Sequence, residues 1–246
     1  MELKPDEINT PSYILGGLKE NFKFTGYPQL AEKYAKELLF VNTDSITYLC
    51  NLSEIHKSRG DFRTSENLLL KAYKIDSANM WCNFYLMENY VFQKNYKTAF
   101  YYLQKWEKVK KESEEYAPFN YIIGFIWLQN GYQQEAKSIL TQTESYWLKQ
   151  IELKTLDAQL FYAHLSLAAI YSALNEKEKA LEYLLQIKKR LTISLTWIIL
   201  LKESPMFDNI RREHEFADVL NDFEAKYQKD HDRIKKLLIS KGLEPA

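Results

Sequence analysis

Turn signals recur along this chain at a spacing that tightly limits what it can fold into. Gly26, Gly60 and Lys94-Asn95 follow one another 34 residues apart, and Gly131 and Asn175 come after gaps of 37 and 44. Each is followed by a small residue: Ala31, Ser65, Ala99, Ala136 and Ala180. Apolar residues flank the turns at helical steps, as in Leu49, Leu52 and Ile55 before one, or Leu181, Leu184 and Ile187 after another. A period of this size marks one supersecondary unit repeated, here a pair of helices that cannot bury its apolar face alone. A Gly or Asn at the turn tolerates the left-handed backbone that ends a first helix, and the small residue after it lets the second helix approach closely. Composition agrees. The 246 residues include thirteen Phe, five Trp and eighteen Tyr but only seven Gly and six Pro, which excludes disordered and collagen-like chains and disfavours a turn-rich sandwich. The chain reads as all-α.

The unit resembles the tetratricopeptide (TPR) repeat. The clearest instance is FYAHLSLAAIYSALNEKEKALEYLL, residues 161–185, where Leu167-Ala168, Tyr171, Ala180 and Leu184 stand at the family's hallmark positions. The resemblance implies about five helical hairpins, near 12–45, 46–79, 80–113, 117–150 and 161–190, wound into a right-handed α-α superhelix. The family's closing proline is absent, with Thr43, Ser77 and Lys111 in its place, and Trp147 to Asp157 predict lengthened helices ahead of the fifth unit.

Beyond residue 190 the pattern changes. Ser194 to Lys202 predicts a further apolar helix, and Phe216, Leu220, Phe223, Tyr227, Ile234 and Leu238 predict a long amphipathic one. A solenoid end needs a cap with a polar outer face, which is the reading of residues 191–246. The segment Pro205 to Arg211, with Phe216 after it, is similar to the tail closing TPR regions of bacterial signalling and transcriptional regulators; Ser204 and Glu215 depart from that pattern.

Motifs for chemistry are missing. His56, His164, His214 and His231 occur singly, without metal-ligand spacing; His164 reads as a core histidine and His231, between Asp230 and Asp232, as part of a solvated face. The chain has no GxxxxGK[ST] or GxGxxG loop and no GxSxG elbow, and the Glu112–Glu115 run interleaves with lysines as a self-screened helix end. The expectation is therefore no enzyme, no cofactor and no metal. Cys50 and Cys82 read as small buried or groove-lining residues in a reducing, cytoplasmic compartment. No apolar run reaches membrane-spanning length, and 33 basic against 33 acidic residues leave no footprint for direct nucleic-acid binding.

In TPR domains the first helix of each unit lines a concave groove. By the family's register, that groove holds Tyr13, Glu20 and Lys23 from the first unit and Thr47, Cys50, Glu54 and Lys57 from the second. Trp81, Phe84, Glu88 and Phe92 come from the third, and Pro118 and Phe125 from the fourth. The family's carboxylate clamp has no cationic counterpart here. What remains is an aromatic, mildly acidic channel suited to an apolar or basic peptide segment, or else aromatics that pack between repeats or against the C-terminal helix. The leading expectation is a protein-protein interaction scaffold with Tyr13, Glu20, Glu54, Trp81, Phe84, Glu88, Phe92 and Phe125 as its groove. Two others stand beside it: the ligand-sensing part of a bacterial regulator, and a self-assembly module forming homo-oligomers.

Overall fold

Each turn signal sits where a first helix must stop. A computed structural model describes residues 10–110, 120–155 and 161–243, and among them all regular structure is helical. The helices are α1 (Pro11–Thr25), α2 (Pro28–Asn42), α3 (Ser45–Lys57), α4 (Phe62–Ile75), α5 (Met80–Phe92) and α6 (Tyr96–Val109). They continue with α7 (Asn120–Gln129), α8 (Gln133–Glu152), α9 (Phe161–Ala173), α10 (Lys177–Ile187), α11 (Leu195–Glu203) and α12 (His214–Ser240). A 3-10 turn, Pro205–Phe207, lies between the last two. The Glu112–Glu115 run and Pro118 fall outside the described residues.

The turns use the left-handed backbone that the sequence predicts. Gly26, Gly60, Gly131 and Asn175 have φ of 81°, 85°, 86° and 63°. At the third turn Lys94, not Asn95, takes that conformation, with φ 57°. Asn95 instead caps α6, its side-chain oxygen accepting from the Thr98 amide. An Asx residue serves best where its carbonyl can meet the free amides of a helix start. Asp44, Asp61 and Asn79 do the same for α3, α4 and α5.

Adjacent helices pack as consecutive pairs, α1 with α2, α3 with α4, α5 with α6, α7 with α8 and α9 with α10. Each pair then packs on the next, as in a helical solenoid. Ala31, Ser65, Ala99, Ala136 and Ala180 are all fully buried, so the small residue marks the closest approach within each pair. Gly124 serves this purpose on the first helix of its pair, since a β-carbon there would collide with the buried Leu140 of α8. One core runs from Cys50 and Leu69 through Leu103, Trp106 and Trp147 to Leu184 and Phe223.

The C-terminal segment, expected as a cap on the last pair, reaches much further. Along α12, Lys188 of the last pair bridges to Asp218 at 2.5 Å, and Lys226 Nζ donates to the Lys188 carbonyl. The same arm also touches the turns of the last pair and of earlier ones. Asn209 donates to the Ser172 carbonyl, Lys94 pairs with Asp208 at 2.7 Å, and Ile199 lies beside Gly60. At the first turn Tyr27 donates to the His231 carbonyl at 2.8 Å while His231 Nδ1 donates to the Thr25 carbonyl at 2.8 Å. His231 is thus no solvated surface residue. Its ring stacks on Tyr27 at 4.5 Å and 10°. Periodicity places it on a polar helix face, but that face meets a turn whose bare carbonyl needs a donor. Arg211 holds the arm's bend by donating to the carbonyls of Leu201 and Ser204.

Candidate functional site

The first helices α3 and α5 lie side by side, and their N-terminal ends leave a gap between them. Asp44 fixes the start of α3, accepting from the Ile46 and Thr47 amides and from the Thr47 hydroxyl. Asn79 fixes α5 by accepting from the Cys82 amide at 2.9 Å. Between the two starts is a cavity of about 270 Å³ lined by Ile46, Thr47, Cys50, Asn51, Asn79, Trp81 and Tyr85. Trp81 is 37% exposed and stacks on Tyr85 with centroids 6.0 Å apart. A second hollow of about 470 Å³, by Glu107, Trp127 and Glu135, is shallower and open to solvent, so it encloses a ligand less well.

Of the residues placed in the groove by register, Thr47, Cys50 and Trp81 line this cavity. Tyr13 is exposed near the start of α1. Phe84 and Phe125 point elsewhere, and their groove assignment needs correction. Both are buried, Phe84 against Trp106 at 6.0 Å and Phe125 edge-on to Tyr96 at 5.7 Å. In both cases second helices close over the ring: α6 supplies Trp106 and Tyr96. Phe92 stacks on Phe62 at 4.8 Å, across the seam to the preceding pair. The packing reading of the aromatics holds for these three residues, and Trp81 is the exception.

The carboxylates do not form an open acidic strip. Glu20 pairs with Lys19 at 2.8 Å and Lys23 at 2.6 Å. Lys57 lies between Glu54, at 2.7 Å, and Glu88. Burial alone would pull the Lys57 ammonium down, but the two carboxylates outweigh it and hold its pKa above the ordinary lysine range. Burial pushes the Glu88 carboxyl up, with Lys57 opposing. For Glu20, burial pushes up but Lys23 and Lys19 win, leaving the carboxyl below its ordinary value. A buried carboxylate calls for a cation nearby, which the chain supplies from the same helix for Glu20 and Glu54 and from the neighbouring α3 for Glu88.

Asn51, Asn79, Ile46 and Tyr85 complete the cavity, and none belongs to the groove predicted from register. Asn79, three residues ahead of Cys82, carries a cap signal that the sequence analysis did not use, and such a signal does not say that the residue lines a cavity. The hydrogen bond that Cys50 shares with Cys82, and then burial, hold the Cys50 thiol far above its usual range; the same bond lowers the Cys82 thiol, which donates to the Leu69 carbonyl. Among the described residues no cluster of three or more metal-ligating side chains occurs, and no helix is long and apolar enough to cross a membrane.

The class that fold and site together define is, among the described residues, an all-helical, repeat-like chain with a cavity of mixed lining between neighbouring first helices. No protein-family model matches the chain, and no curated protein matches it.

Proposed function

We propose that this chain is a non-enzymatic interaction scaffold of TPR type, about five helical hairpins in a right-handed superhelix, which docks a peptide or protein segment on its concave face. The observation that supports it is the cavity between α3 and α5, walled by exposed Trp81. An exposed tryptophan over a half-enclosed hollow is the usual make-up of an interface anchor point. The neighbouring ion pairs are already closed, which suits binding rather than proton transfer, because no carboxylate or lysine of the site lacks its counter-charge. The two buried thiols fit a reducing cytoplasm.

The test is selection of a random peptide display library on the immobilised full chain, with counter-selection on Trp81→Ala. Enriched peptides that lose at least about tenfold in affinity on Trp81→Ala, and little on Tyr101→Ala, support the reading. Equal binding to wild type and Trp81→Ala contradicts it.

A further inference from the structure

A repeat in a solenoid packs only on its neighbours, so an end repeat has one seam where the others have two. The first hairpin, α1 with α2, is held by a small one. The main core takes its buried side chains from Cys50 onward and includes none from α1 or α2. The hairpin meets α3 through a separate cluster of Ala31, Ala35 and Ile55, flanked by Phe22, Tyr48 and Leu52. Two of its three buried members are alanines, which bring little apolar area. Polar ties cross the seam where Lys19 donates to Asn51 at 2.7 Å and where Glu32 lies 3.9 Å from both His56 and Arg59. The link itself is strained. Thr43, the residue after α2, has φ 52°, a left-handed conformation that a β-branched side chain rarely adopts.

The far end of the chain supplies what the seam lacks. Tyr27, buried at the hairpin's own turn, donates to the His231 carbonyl and stacks on the His231 ring, whose Nδ1 donates to the Thr25 carbonyl. The Tyr227 hydroxyl stands where a β-carbon of residue 26 would be. α1 also lies against α11 and α12, so the arm is the hairpin's second neighbour. The other end of α12 is anchored on the last pair, where Asp218 and Lys226 both engage Lys188. We infer that the first hairpin is a hinged unit strapped shut by α12. It turns about Thr43 when Tyr27 and Thr25 part from His231, and that movement uncovers the apolar seam of Ala31, Ala35 and Ile55. In the closed position the strap holds Thr43 in its strained conformation; in the open one Thr43 relaxes.

The test is native-state amide hydrogen exchange on the full chain over a range of urea concentrations below the unfolding transition. Amides of α1 and α2 are expected to share one opening, with a weaker urea dependence than those of α5 to α8, which exchange by global unfolding. Tyr27→Phe removes one donor and should speed hairpin exchange about threefold to tenfold. His231→Ala removes a donor and the ring stack, and should speed it by at least about tenfold. Thr43→Gly accepts the left-handed backbone without strain and so favours the closed position; hairpin exchange should slow about threefold or more. Hairpin exchange unchanged by Thr43→Gly while global exchange slows would mean that Thr43 keeps its conformation in the open form, which overturns the hinge. Hairpin amides that follow the global urea dependence in the wild-type chain overturn the separate unit. Indifference of hairpin exchange to both Tyr27→Phe and His231→Ala overturns the strap.

Discussion

The two ends of the same helices have been treated differently. At their turn-side ends α1, α3, α5 and α9 meet the C-terminal arm through Thr25, Gly60, Lys94 and Ser172. There aromatic rings stack, carbonyls find donors, and a tyrosine hydroxyl fills the space a β-carbon would need at Gly26. At their opposite ends α3 and α5 leave a cavity and a half-exposed indole. Where the chain lays down its own segment the helix ends are covered, and where it lays down none an indole stays open to solvent.

Disrupting the arm should do the greatest damage. Phe207 is fully buried beside Phe216 in the arm's bend, so Phe207→Ala should lower unfolding stability by about 4 kcal/mol in urea titrations. Next comes the groove's buried ion triad. Lys57→Met strands Glu54 and Glu88 without a cation and should cost about 3 kcal/mol at neutral pH. That deficit should shrink as pH falls toward the ordinary glutamate range, because protonation removes the stranded charge. A loss that stays constant with pH would mean Lys57 matters for its packing alone.

At the first turn Gly26→Ala places a side chain at φ 81° and drives its β-carbon into the Tyr227 hydroxyl. About 2 kcal/mol is expected, part of it recovered by adding Tyr227→Phe. If the double variant recovers nothing, the arm does not press on that turn. The open end should respond least. Trp81→Ala should cost under about 1 kcal/mol of stability, against about 4 for Phe84→Ala three residues on, because one ring is 37% exposed and the other 2%.

The smallest expected effect lies in the acid limb. Glu20, held below its ordinary value, contributes stability above its unfolded pKa and loses it as pH falls through the folded one. Glu88, pushed up by burial, works in the opposite sense: its neutral form favours the fold, so lowering pH toward the ordinary glutamate range adds stability. Stability-against-pH curves for Glu20→Gln and Glu88→Gln should therefore depart from wild type in opposite directions. Departure in the same direction would contradict the ion pairing described for this face.

The all-helical layout was legible because its signals are local. Each turn residue and its buried small partner lie within one hairpin, and five-residue spacing suffices to read them. The helix at Leu195 and the long one ending at Ser240 were equally plain from their apolar steps. The arm's destination was hidden. Thr25 and His231 are 206 residues apart, and helical periodicity gives a face without naming its partner. The groove suffered in the same way. Register counts Phe84 and Phe125 as groove positions, but it cannot tell that Trp106 and Tyr96 close over them. Nor could composition reveal that Lys19, Lys23 and Lys57 would neutralise every predicted carboxylate.

The contrast between the two helix ends is tested most directly by amide hydrogen exchange on the full chain, with and without a peptide selected from the display library. Peptide binding should slow exchange in Ile46–Asn51 and Asn79–Tyr85 and leave Thr25–Tyr27 and His214–Ser240 unchanged. Protection confined to the arm and the first turn would contradict the account.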